Sequence, residues 1–341
     1  MRAGFIEKPE VAYFKESEEP CIQGDRDIKI KVAVAGICGS EVHAYHGIHP
    51  FRVPPLVSGH EFAGTVVEVG KGVKGVKPGD RVTAEPQYGC GHCPLCRVGK
   101  YNICKDKKVL GATYWSGAFG EYVVVPEETI VPLGDEVSFE EGALIEPIAV
   151  GMHAVRQHQV APGQNILIIG AGTIGLGLLL SARICNPAKI IVADVVDYNL
   201  QMAREMGCVY TINSQTEDLE EKVLALTEGQ GVDTTFLAFG NAPVLEMAAR
   251  CTKRGGAISE IAIMRDGTGA PFGLIQSKEL SLVGSNMYTY EDFQIVVENM
   301  AKGLIDGKQM ISKVYPIENM AEAMEMADKR PEPVVKVLLK F

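Results

Sequence analysis

The chain has 341 residues, 46% of them apolar, a net charge of −10 and nine cysteines. That length suggests about two domains of roughly 100–200 residues, and the acidic balance makes nucleic acid and anionic membranes poor partners. The opening residues lack the apolar run of a secretory signal, so nine thiols suggest a reducing compartment, the cytoplasm, where cysteines serve metals or chemistry.

Residues 1 to about 135 read as β-rich. "DIKIKVAVAG", "EFAGTVVEVG", "DRVTAEP" and "GEYVVVP" are short β-branched runs bounded by Gly, Pro and Asp. The basic run "KGVKGVKPGDR" at 71–81 reads as a solvated hairpin loop. A different alternation then begins. "NILIIG" and "KIIVAD" are strands, "TIGLGLLLSARIC" and "YNLQMAREMG" are helices. "CVYTIN" and "GVDTTFLAFG" are strands around a helix that Ser214 and Glu217 would open as a capping box. Strand and helix alternation over about 120 residues implies a parallel, doubly wound sheet. "GGAISEIAIM" is apolar enough to be an edge strand pairing across a two-fold axis. After Gly284 the sequence predicts a helix N-capped by Thr289, a second helix at "NMAEAMEMADK" and a closing strand at "PVVKVLLK". The expected division is 1–148, 149–284, and a segment 285–341 that rejoins the first domain.

"IIGAGTIG" places Gly170, Gly172 and Gly175 in G-x-G-x-x-G spacing, between an apolar strand and a helix. The three glycines serve a tight turn, close approach to a pyrophosphate and close helix–strand packing. The helix start at Thr173 and Ile174 offers free N–H groups to phosphate. Asp194 ends the next strand 19 residues after Gly175, where a carboxylate accepts the ribose hydroxyls of NAD and repels the 2′-phosphate of NADP. A glycine-rich structural turn is the plainer alternative.

Cys90, Cys93, Cys96 and Cys104 fall within a lobe at about 88–105. Four thiolates favour a closed, tetrahedral structural zinc. An iron–sulfur cluster fits the spacing poorly, and two disulfides fit the compartment poorly. A quieter set is Cys38, Ser40 and His43 in "GICGSEVHAYH", His60 and Glu61 in "SGHEFAG", and Glu146 in "ALIEPIAVGMHA". Mixed S, N and O donors are what an open, catalytic zinc uses. The bland reading makes Cys38 a core thiol and Glu146 a helix-terminal residue.

"GHEFAGTVVEVG", "PGDRV", "GCGHCPLCRVGKYNIC", "GALIEPIAVGMHA" and "IIGAGTIG" together resemble the zinc-dependent medium-chain alcohol dehydrogenases, and "EP" within "ALIEPIAVG" is similar to their sorbitol and polyol dehydrogenase branch. The resemblance runs over nearly the whole chain. It implies an α/β protein with a GroES-like, partly open β-barrel catalytic domain and a Rossmann domain, a cleft between them, NAD as cofactor and two zinc ions per subunit. It implies that Cys38, His60 and Glu61 hold a catalytic zinc, with Glu146 binding that zinc or its water. Ser40 and His43 then match the proton relay, and the four lobe cysteines match the structural zinc. A homodimer or homotetramer is expected.

Tyr45, Trp115, Asn286 and Met287 lie on segments expected near the substrate. Asn286 and Met287 stand where an arginine would have helped to fix a polyol, a departure from the branch. The expected substrate is a secondary alcohol within a polyol, sugar or cyclitol. A threonine or vicinal-diol dehydrogenase is the alternative within the chemistry, and a non-catalytic zinc-binding interaction protein the alternative outside it.

Overall fold

The computed structural model describes residues 1–264 and 269–341. The chain forms two compact units: Met1–Glu146 with Thr289–Gly303 and Ile311–Phe341, and Pro147–Tyr288 with Leu304–Met310.

In the first unit the Asp27–Ile37 strand is the organising element. Its sequence DIKIKVAVAGI buries most positions, with Lys31 left exposed. Glu61–Val69, Tyr122–Pro126 and Lys336–Lys340 all pair with it antiparallel, within a seven-stranded sheet among the described residues. Register breaks at Lys29/Ile30 and Val32/Val34 bend the strand, as bulges do, and curl the sheet towards a partly open GroES-like barrel. Ile28, Ile30, Val32, Phe62, Val66, Val82, Phe119, Val123 and Leu339 fill its interior. Each such side chain contributes roughly 1.5–3 kcal/mol on burial. The Tyr290–Ala301 helix starts at a capping box, in which Asp292 accepts the Thr289 N–H at 2.8 Å and its hydroxyl at 3.0 Å.

The second unit is a doubly wound α/β domain. Its six strands run parallel in the order Tyr210–Asn213, Lys189–Asp194, Asn165–Ile169, Val232–Leu237, Thr252–Glu260, Ser281–Gly284. The order reverses beside Asn165–Ile169, which puts a crevice at the carboxyl ends of that strand and Val232–Leu237.

Three details depart from the sequence reading. "GGAISEIAIM" is interior, since Thr252–Glu260 is flanked on both sides, and Ser281–Gly284 is the edge. Apolarity marked a central parallel strand, covered on both faces, rather than an edge. The Leu219–Leu226 helix is capped by Asp218, whose carboxylate accepts the Glu221 N–H at 3.0 Å, and not by Ser214. Finally, 285–341 does not return as one piece. Residues up to Tyr288 stay with the second unit, and so does Leu304–Met310, whose Lys308–Met310 turn packs on the Asp197–Glu205 helix.

Candidate metal centres and dinucleotide turn

Strand pairing assembles the first site. The register sets Gly36 opposite Glu61, so Cys38, just past one strand, and His60, just before the other, meet at one end of this central strand pair. A Cβ on Gly36 would lie 2.2 Å from Glu61 Oε2, so any side chain there would displace the carboxylate. Donor atoms of Cys38, Glu41 and His60 lie within 4.8 Å of one another, as do those of His60, Glu61 and Glu146. All of these residues except Cys38 are buried.

Glu41 organises the group from the Gly39–Tyr45 helix. One of its oxygens accepts the Cys38 N–H at 3.1 Å, and the other binds the Ser58 hydroxyl at 3.0 Å and His60 Nδ1 at 2.9 Å. Arg52 Nε lies 3.3 Å from that second oxygen. Burial would raise the Glu41 carboxyl, but the His60 and Arg52 charges and these bonds hold it well below the usual range. An ionised carboxylate only accepts, so Nδ1 carries a hydrogen and Nε2 is the nitrogen left to face a metal. A carboxylate that fixes the far nitrogen of a histidine is the usual support of a metal-ligating imidazole. Nε2 lies 3.7 Å from Glu146 Oε1. Burial disfavours charge on His60, yet Glu41 and Glu146 raise its pKa well above the ordinary value. The surroundings therefore favour a positive charge at this point, and the donor set of one thiol, one imidazole and carboxylates fits zinc.

Glu61 has a second partner. Lys336, 2% exposed, donates to both Glu61 oxygens at 2.8 and 2.7 Å and to the Ile37 carbonyl at 3.2 Å. Burial would lower the lysine, but Glu61, Cys38 and Glu146 raise it, so it stays charged. Ser40 and His43 share one helix three residues apart, hence one face. Ser40 is half-buried and His43 exposed.

In the lobe, donor atoms of Cys90, Cys93, Cys96 and Cys104 lie within 4.8 Å of one another, and all four are free thiols. Gly91 and Gly99 take positive φ of 76° and 78°, so the chain can wrap the cluster. The His92 and Cys93 N–H groups pull the Cys90 thiol down to about 6, whereas burial and the neighbouring sulfurs push Cys96 up to about 12. Four thiolates so close need a cation to coexist, which is the demand a structural zinc meets. His92 is exposed and is not in that group; its Nδ1 is 2.8 Å from the Cys90 carbonyl oxygen.

In the second unit Gly170 has φ +97°, and a Cβ on Gly175 would lie 1.7 Å from the Gly170 oxygen. Only glycine permits this turn. Gly172 is the N-cap residue of the Thr173–Ile184 helix, and no side chain caps that end. Asp194 does more than the spacing implies: its oxygens accept the Ala171 N–H at 2.6 Å and the Val196 N–H at 2.8 Å. It ties the glycine turn to the next strand while keeping lone pairs for ribose hydroxyls.

Known proteins match this layout along the whole chain. Residues 24–135 match the alcohol dehydrogenase GroES-like domain, and residues 173–302 match the zinc-binding dehydrogenase family. Sorbitol dehydrogenase of Bacillus subtilis is 33% identical, over 92% of this chain and 90% of its own. L-Idonate 5-dehydrogenase of Vitis vinifera is 35% identical, over 93% and 89%. The chain belongs to the zinc-binding medium-chain alcohol dehydrogenases. A crystal structure of an alcohol dehydrogenase from Escherichia coli CFT073 complexed with NADH superposes on this medium-chain dehydrogenase with a TM-score of 0.93, at 31% identity, covering 100% of this chain and 99% of the other.

As in its family, this chain is an oxidoreductase. Sequence reasoning missed Lys336, Glu41 and Arg52. A single lysine inside the apolar "PVVKVLL" was the available signal for the first, because a charge there needs a partner. Of the four expected substrate residues, Tyr45 and Trp115 belong to the first unit and Asn286 and Met287 to the second. Tyr45 donates its hydroxyl to the Glu10 carbonyl at 3.0 Å, and Trp115 donates Nε1–H to the Val124 carbonyl at 2.9 Å. Both side chains are tied to the barrel's own backbone. Asn286 is exposed and Met287 takes φ +54°, both in the second unit.

Proposed function

We propose that this dehydrogenase oxidises a secondary hydroxyl of a polyol, sugar or cyclitol to the ketone, reversibly, with NAD and two zinc ions per chain. The observation that carries the reading is that His60 joins two donor clusters, one with Cys38 and Glu41 and one with Glu61 and Glu146, braced by Glu41 and Lys336. Cys38, His60 and Glu61 would hold the catalytic zinc, with Glu146 on the metal or its water, and the four lobe cysteines the structural one. Bound zinc supplies a Lewis acid that lowers the pKa of a substrate hydroxyl, and NAD supplies the hydride acceptor.

The protein's own groups do the rest. Glu41 holds the hydrogen on His60 Nδ1, so Nε2 stays a donor atom. Ser40 Oγ, half-buried on the same helix as Cys38, takes the hydroxyl proton, and the exposed His43 imidazole passes it to solvent, with a water spanning the gap. Lys336 holds Glu61 in place through both of its oxygens. The Gly170–Gly175 turn and the helix start at Thr173 bind the pyrophosphate, and Asp194 binds the ribose.

A panel of sorbitol, xylitol, L-idonate, myo-inositol, butane-2,3-diol and threonine, with NAD reduction followed at saturating zinc, tests the substrate class. Turnover of a polyol or sugar is expected. Turnover of threonine with none of any polyol would overturn it, and metal analysis should find about two zinc ions per chain. Asp194→Ala is expected to weaken NAD about tenfold or more, through the lost ribose bonds. NADP should lose less, since only the anchoring of the Ala171 and Val196 N–H groups is lost for it. Equal losses in a binding titration would contradict the ribose assignment.

No described helix is long and apolar enough to cross a membrane. Cytoplasmic residence fits the nine free thiols. The Ser281–Gly284 edge, with Leu282 44% exposed, suits pairing with the same strand of a second copy to form a homodimer. Sedimentation of the wild type and of Leu282→Lys would read that contact.

A further inference from the structure

Beside the four-cysteine lobe, the first unit holds a pocket of about 370 Å³. None of Cys38, His60, Glu61 or Glu146 lines it. Its wall is mostly apolar and includes three tyrosines, Tyr88, Tyr101 and Tyr290, with two carboxyl groups, Glu85 and Glu128. No lysine or arginine is among the described lining residues.

The polar edges of this wall are already committed. Glu85, 2% exposed, accepts the Tyr101 hydroxyl at 2.8 Å and Gln87 Nε2 at 3.2 Å. The Tyr101 hydroxyl oxygen accepts the Tyr290 N–H at 2.5 Å, and the Tyr290 hydroxyl donates to the Ile130 carbonyl at 2.8 Å. Tyr88 is held edge-on to Trp115 at 5.3 Å. The rings are thus fixed from behind. Neither Glu85 nor Glu128 has an ion-pair partner among the described residues. A concave wall of π-faces and unpaired carboxyl groups is attractive to a positive charge with an apolar body.

We propose that this pocket binds a small organic cation, with its ammonium or guanidinium head towards Glu85 and Glu128 and its carbon body against the tyrosine rings. A bare metal ion suits it poorly, because the Glu85 oxygens and the Tyr101 and Tyr290 hydroxyls are already hydrogen-bonded and the wall is largely apolar. Burial, with smaller effects from Asp292 and Glu128, pushes Glu85 up to about 8, while the Tyr101 and Gln87 bonds act against that. A bound cation favours the carboxylate, so binding at pH 7 should release a proton.

Calorimetry on the full chain, with NADH saturating, tests this with butylguanidinium and its neutral isostere butylurea. Butylguanidinium is expected to bind in the millimolar range or tighter, and butylurea about tenfold or more weakly. The binding heat should differ between phosphate and Tris buffers, as proton release requires. Tyr88→Leu should weaken butylguanidinium roughly fivefold and Glu85→Gln about tenfold. Glu128→Gln, on an exposed residue, gives the same readout, a few-fold weaker, should Glu85→Gln fail to fold. Absence of binding at about 20 mM, equal binding of butylurea, or a Glu128→Gln protein that binds unchanged would overturn the proposal.

Discussion

Cys38→Ser is expected to remove turnover by more than about a thousandfold while leaving the fold intact. The thiol is only partly buried and sits at the N-cap of a short helix, so serine can occupy the same backbone and make the same turn. What serine cannot supply is a thiolate, the softest and most strongly bound donor in a mixed zinc set. The bound zinc should fall from about two ions per chain to about one, since the lobe shares no donor with this site. Circular dichroism and thermal melting should stay near wild type. A variant that kept both its zinc and its rate would sink the assignment of Cys38 and return it to the status of a core thiol.

The second large effect falls on Lys336. In the zinc-free protein, Lys336→Met removes the only described ion-pair partner of Glu61 and leaves a buried carboxylate with no compensating charge. Breaking such a pair costs about 3–5 kcal/mol, far more than loss of an exposed bridge. A fall in Tm of roughly 10 °C is the expected reading. The double variant Lys336→Met with Glu61→Gln should recover much of that stability, because neither charge is then stranded. Activity should not recover, because Glu61 is also assigned to the metal. If Lys336→Met melted like wild type, the pair would be doing nothing for the fold. If the double variant regained full rate, Glu61 would not be a ligand.

The two kinds of chemistry were legible in the sequence to different depths. The glycine turn and the cysteine lobe are local: their donors sit within one loop, so spacing alone carries the geometry. The Cys38 site is not local. Its members come from a strand end, a second strand start, a long helix and the closing strand, and only pairing in the register of Gly36 with Glu61 unites them. Family resemblance supplied the ligands, but not the residues that charge and orient them. Glu41 is a first-turn acid of its helix and Lys336 a single charge in an apolar strand, so neither stands out by spacing. The edge of the parallel sheet was misread for a physical reason: hydrophobic runs report coverage by helices, and the true edge strand, SLVG, is mostly exposed. Substrate contacts were the least legible, because hydroxyl recognition rests on the directions of single side chains, which no periodicity encodes.

The charge that balances Glu61 arrives late in synthesis. Lys336 lies 275 residues after its partner and 299 after the Ile37 carbonyl it also binds. All six strands of the parallel sheet are made before it, and even their longest-range pairing, Ile166 with Thr234, spans far less chain than Glu61 with Lys336, so that unit has what it needs to fold while the ribosome is still working. The barrel must wait. Until its final strand emerges, Glu61 faces an incomplete sheet and no counter-charge. A nascent chain is therefore a folded nucleotide-binding module attached to an unfinished metal site, and any truncation at the C-terminus that reaches Lys336 would leave it in that state.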